Sequence, residues 1–148
     1  MALARSPKVR LIDKSQLAIT VSRRLEDKAD AWLRSDQHLA FVRSHACLAC
    51  GRTSNVVAAH VWKGNDGAKG EKPSDIFTLP LCATAHLGQL GCHDRQHLIG
   101  EITFWTPILG GTDLATRRAV DLAAASPCAK TRRAAANVLA GRHWSEEP

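Results

Sequence analysis

Apolar positions recur at helical spacing in several stretches of this chain and crowd into β-branched runs in two others. Leu25, Ala29, Trp32 and Leu33 share one face of a helix predicted over about 22–34. Ser35-Asp36 is a cap signal, and Leu39, Phe41 and Val42 predict a second short helix behind it. Val56 to Trp62 is rich in Val and Ala and reads as a strand. Ile76 to Leu81 reads as a second strand, and Pro80 assigns it to an edge. His93 to Ile99 predicts a helix stopped by Gly100, and Phe104-Trp105 a short segment ended by Pro107. Gly110-Gly111 is a candidate hinge. Beyond it, Thr112 or Asp113 caps a helix to about Ala125, with Leu114, Ala115, Ala119, Leu122 and Ala123 on one face. Ser126-Pro127 opens another helix that ends near Gly141. The fold class is α+β.

At 148 residues the chain is long enough for one domain with extensions. The expected boundaries are a basic N-terminal arm and helix over 1–35, a core over 36–108, and an Ala-rich helical extension over 109–148. That extension packs on the core or on a partner, which leaves room for helix-mediated self-association. Only 5% of residues are aromatic, so Phe41, Trp62, Phe77, Phe104 and Trp105 are expected to carry much of the packing. A core that small gains from a metal staple.

The formal net charge of +6 is concentrated in residues 1–34 and points to a polyanion partner. The chain has no apolar run of about 18 residues and no apolar signal-peptide core, so the expectation is a cytoplasmic protein without a membrane span. In that compartment thiols stay reduced, and clustered cysteines bind metal more often than they pair.

Cys47-x2-Cys50, Cys82 and Cys92 are the candidate ligands of one structural zinc, because zinc closes a tetrahedron with four soft anionic donors. Nine residues separate Cys82 from Cys92, and His86 is the rival fourth ligand. Gly51 supplies the positive φ that a tight metal turn often needs. Cys128 stands alone and is expected in the helical core. His93-x3-His97 puts two imidazoles on one helical face, where they suit a divalent ion. His60, near a strand end, is a candidate proton acceptor from water. Lys63, Lys69 and Lys72 in a Gly-rich loop, and Arg95 on the predicted helix, are candidate phosphate contacts.

Taken together, Cys47-x2-Cys50, Ala59-His60, Lys72-Pro73-x-Asp75, Leu79-Pro80-Leu81-Cys82 and Cys92-His93-x3-His97 resemble the HNH endonucleases of the ββα-metal, treble-clef fold. The likeness runs over about residues 36–106. It is similar to a phage and prophage branch that includes nucleases of the recombination-enhancement type. The resemblance implies a zinc-stapled core with DNA as substrate, and His60 as the general base. It further implies that His93 and His97 hold a catalytic divalent cation, Mg2+ or Mn2+. The chain departs from the pattern at Ala59, where many members place a metal ligand, and at Phe77, where the middle Asn belongs. It departs again in the Ala83–Gly91 insertion. Asp75 is the nearest polar substitute for the Asn, to orient His60 or to bind metal.

The expected function is therefore a phage-derived, metal-dependent endonuclease that hydrolyses DNA phosphodiester bonds. The rivals are a non-catalytic, zinc-stabilised DNA-binding module and an adaptor that uses its C-terminal helices.

Overall fold

The structure is a computed structural model that describes residues 32–62, 72–85 and 88–147. The N-terminal arm up to Ala31 lies outside the described residues, as do Lys63, Lys69 and His86. Trp32–Pro148 forms one compact unit, with no division at the expected 108/109 boundary. Residues 32–35 are irregular, so the helix expected over 22–34 does not reach its predicted end.

Helix α1 spans Asp36–Arg43. Ser35 caps it: its backbone is extended and its Oγ accepts from the His38 amide at 3.1 Å. Asp36 in the first turn and Arg43 in the last match the helix dipole. His38 and Val42, one turn apart, are the residues it buries.

Strands β1 (Val56–His60) and β2 (Thr78–Cys82) pair antiparallel, with Val56 opposite Cys82 and His60 opposite Thr78. The flanking ladder bonds, Ala83 N to Asn55 O and Val61 N to Phe77 O, fall on odd-numbered partners of β1. Pro80 sits opposite Ala58, in a pair that exchanges no main-chain bond, so its missing N–H costs the ladder nothing. The strand expected from Ile76 begins two residues later. Asp75–Phe77 is instead a 3-10 turn, closed by Phe77 N to Ser74 O at 3.0 Å and by the Thr78 hydroxyl on the Asp75 carbonyl at 2.7 Å. The turn buries Ile76 and Phe77 together, which an alternating strand would not do.

Four helices follow: α2 (Cys92–Ile99), α3 (Glu101–Leu109), α4 (Thr112–Ala124) and α5 (Ala129–Leu139). Pro107 lies inside α3 and does not end it. The local rule yields because Phe104 and Trp105, packed edge-to-face at 4.8 Å, are both buried and fix the helix on the core. Among the other expected aromatics Phe77 is buried, while Phe41 and Trp62 are only half-buried. Gly111 rather than Thr112 or Asp113 occupies the cap position of α4. Cys128 caps α5 and is half-buried, so it is not the core residue expected.

The Ala-rich helices are integral to the core. Ala115 and Ala119 of α4 pack with Ala59, Val61, Leu79, Leu81, Phe104 and Trp105. One turn on, Val120 and Ala123 pack with Leu33, Ile76, Phe77, Ala134, Ala135 and Trp144. Small side chains let α4 lie close to both clusters and join them. No described helix is long and apolar enough to cross a membrane.

Leu81 is fully buried at the centre of the first cluster. Leu81→Ala should cost about 2–5 kcal/mol, read from the shift of the urea midpoint at unchanged slope.

Candidate functional site

Cys47 and Cys50 lie on a tight turn. Gly51 N bonds to Cys47 O at 2.8 Å, and Gly51 takes φ +77° as its position requires. Cys82 ends β2 and Cys92 opens α2. All four sulfurs lie within 4.8 Å of one another. A tetrahedral zinc with bonds of about 2.3 Å needs sulfurs about 3.8 Å apart. Cys50 and Cys82 are 3.6 Å apart, so the cluster fits such an ion closely.

The Cys82–Cys92 excursion closes because it is tied at its base. Thr84 gives both its amide and its hydroxyl to Asp94, and its hydroxyl accepts from Gly91 N. At Gly91 a Cβ would fall 2.2 Å from the Ala83 carbonyl carbon and 2.5 Å from the Cys82 oxygen, so no other residue fits. The Cys92 amide then points at Cys82 Sγ from 3.4 Å. Ionisation of the cluster is shared unevenly. The Cys47 thiol is lowered to about 7: burial opposes its charge, but the amides of Cys82, Cys50 and Ala49 hold the thiolate. Cys92 is pushed up by burial and by its three sulfur neighbours. Four thiolates this close repel one another, and a divalent cation removes that penalty.

The histidines form a second group. His60 ends β1, and its Nε2 lies 3.1 Å from Asp75 Oδ1. The Asp75 carboxyl is 3% exposed, and its other oxygen accepts from the Ser35 amide at 2.8 Å. Burial opposes ionisation of Asp75. The bonds from His60 and Ser35, with the charges of His60 and Arg34, outweigh it and hold the carboxyl below its ordinary value. An ionised carboxylate has no proton to give, so His60 Nε2–H is the donor in this bond. Arg34 braces the same segment: Nη1 donates to Pro73 O at 2.6 Å and Nη2 to Lys72 O at 2.9 Å, and Nη1 lies 3.4 Å from Asp75 Oδ1.

On α2, His93 and His97 face each other with Nε2 atoms 3.1 Å apart. Burial lowers the His93 pKa, as do His97 and His60 nearby, so its ring favours the neutral, ligating form. His60, Lys72, His93 and His97 line one cleft of about 250 Å³, with Ala58 and Trp62 in its walls. Ala59 points the other way, buried at 1% exposure, because strand neighbours alternate faces. Phe77, at the expected Asn position, is buried in the second core cluster.

Arg95 is placed differently from expectation. It lines a separate cavity with Cys50, Cys92, Phe104 and Pro107. At 100° per residue it lies about 200° from His93 around the helix, away from the histidine cleft. Arg34, Ser35 and Trp62 were not expected at the site. Trp62 is two residues beyond His60, and strand alternation alone would have put both on one face. Nothing local marks Arg34, which stands 41 residues from its carboxylate partner.

Fold and site together define a small α+β protein with a four-cysteine cluster that can hold a metal ion such as zinc. Residues 24–97, half of the chain, match a family described as a protein of unknown function (DUF968), and the chain belongs to that family. The matched segment includes the four cysteines, His60, Asp75, His93 and His97. No curated protein and no solved structure matches the chain.

Three outcomes follow from this geometry. The purified protein should carry about one zinc per chain, lost together with the fold in Cys47→Ser or Cys82→Ser. Gly91→Ala should lower zinc content too, since its Cβ displaces Cys92; elemental analysis at full zinc occupancy in that variant would contradict the closure described. The lowered Asp75 pKa gives stability that is complete at neutral pH. That stability falls away as pH drops toward the ordinary value of 3.8 and is gone below the folded value. The urea midpoints of wild type and Asp75→Asn should therefore differ at pH 7, and the difference should shrink as pH falls below 3.8.

Proposed function

We propose that this chain is a metal-dependent endonuclease of the HNH type that hydrolyses DNA phosphodiester bonds. The observation that carries this is the convergence of His60, with its Asp75 partner, and the His93/His97 pair on one cleft. The element order supports it: a β1–β2 pair followed by α2 is the order of a ββα-metal core. The buried Asp75 supports it as well, since it meets the His60 ring two residues from where the family places its Asn.

The roles follow from the contacts. His60 Nδ1 takes the proton of a water aimed at phosphorus. Asp75 holds the ring through Nε2–H and stabilises the imidazolium that forms. Lys72, on the cleft wall, pairs with a non-bridging phosphate oxygen, and Arg34 fixes the Lys72–Asp75 main chain beneath it. His93 and His97 would hold the divalent ion, magnesium or manganese. Two nitrogens 3.1 Å apart suit neighbouring positions on one ion with bonds of about 2.1 Å. That ion supplies Lewis-acid stabilisation of the phosphate charge.

A second function, a zinc-stabilised DNA-binding module without catalysis, draws on Ala58 and Ala59. Neither supplies a further ligand beside His93 and His97, so water, phosphate or Asp75 has to complete the shell.

Cleavage assays with single-stranded, duplex and branched DNA decide between them. His60→Ala should lower cleavage by about 10²- to 10⁴-fold with DNA affinity nearly unchanged. His97→Ala should abolish metal-stimulated cleavage while zinc content and fold persist. A wild-type protein inert on every substrate with every metal would leave the binding module.

A further inference from the structure

A second cleft adjoins the first and shares Trp62 and His97 with it. Gln96, Gly100 and Glu101 complete its walls, and its volume is about 270 Å³. That is near the lower end of small-ligand pockets, about 300 Å³. Its chemistry differs from that of its neighbour. Among the described residues no Lys or Arg lines it, and Glu101 contributes a carboxylate, so these walls disfavour a phosphate. Lys72 and the histidines make the adjoining cleft the anionic subsite.

Two features select a planar, hydrogen-bonding guest. Trp62 is half-buried at the boundary between the clefts. Its position is set from below: its amide donates to Glu101 Oε1 at 2.8 Å, and the same oxygen accepts from Gln96 Nε2 at 3.2 Å. Because Nε2 must face that carboxylate, the other Gln96 atom is an acceptor. Gln96 is only 2% exposed, and its Oε1 has no hydrogen-bond partner among the described residues. A buried acceptor left unpaired is unfavourable, and an N–H from a ligand would relieve it.

We propose that this second cleft receives one unpaired nucleobase next to the phosphate held at His60. The base stacks on Trp62 and an N–H on its edge bonds to Gln96 Oε1. The substrate class is then DNA with a single-stranded segment at the cut, since a base paired in a duplex cannot enter. The placement of the phosphate rests on the nuclease function above; the base pocket is tested without cleavage.

The experiment measures fluorescence anisotropy of the full-length, zinc-loaded protein without added magnesium or manganese. The probes are a labelled single strand of about 16 nucleotides and a blunt duplex of the same sequence. Trp62→Ala should weaken single-strand binding about 5-fold or more, the loss expected for one stacked base, and leave duplex binding unchanged. Trp62→Phe should keep most of the affinity. Zinc content and circular dichroism confirm that both variants are folded. A single abasic position in the strand should cost as much as Trp62→Ala, and the two losses should not add. Equal loss on single strand and duplex, no loss on either, or a wild type that binds no single strand would overturn the pocket. A wild type that binds single strands through Trp62 yet cuts nothing would keep the pocket and remove the nuclease. A wild type that cuts, with Trp62→Ala unaltered on single strands, would do the reverse.

Discussion

Asp75 is a carboxylate placed almost wholly out of water, and an ion so placed must be matched by donors from the chain itself. The donors come from both sides of the sequence. Ser35 gives its amide and Arg34 its guanidinium from the approach to α1, and His60 gives its ring nitrogen from the end of β1. The 3-10 turn that carries Asp75 is in turn fixed by the Thr78 hydroxyl, and Thr78 faces His38, which is fully buried in α1. One anion thus sets where α1 begins, how β2 is entered and which way the His60 ring points. Losing any one donor would leave the others arranged around a charge only partly met.

The cysteine cluster constrains the opposite end of the same sheet. It joins a turn after α1, the end of β2 and the first residue of α2. A metal there would fix α2 at its N-terminus, and His93 and His97 stand one and five residues on from that anchor. The helix is short, and apart from Gln96 its side chains are half-buried or exposed. Packing alone gives little to orient it. Thr84, Gly91 and Asp94 complete its hold, so the geometry of the histidine pair depends on contacts made by residues with no chemistry of their own.

What was legible in the sequence was what is local. Cys47-x2-Cys50, His93-x3-His97, the Ser35 cap and the two strands each announce themselves within a few residues, although the first strand ends two residues early and the second begins two residues late. The closure of Cys82 on Cys92 was harder to read, because it turns on a steric fact at Gly91 and on a Thr84–Asp94 bond. Arg34 was illegible for a related reason: its partners are Lys72, Pro73 and Asp75, far along the chain. Pro107 misled because a local breaker was outweighed by the burial of Phe104 and Trp105. The Ala-rich stretch was legible in part, with packing on the core or on a partner both left open. Its pattern marked a helix face but not what the face met, and only the structure shows Ala115, Ala119, Val120 and Ala123 bridging two core clusters.

The angular division of α2 bears on what the cleft can do. Residues 93 and 97 share one face and hold the nitrogens that suit a metal. Gln96, three steps on from His93 and so about 60° short of a full turn, faces Glu101 and Trp62 instead. Arg95 turns toward Cys50 and Phe104. A single helix of eight residues therefore contributes to three different surfaces. Arg95 is close to His93 in sequence but faces a different surface. The same rotation that removes Arg95 from the cleft leaves Lys72 as the described cation on its wall, held there by the Arg34 clamp on its carbonyl. Among the described residues that is little positive charge, and phosphate neutralisation by it alone is a weak source of affinity. An aromatic platform at Trp62 would supply binding that salt does not screen, and it would do so at the same wall of the cleft that carries His97.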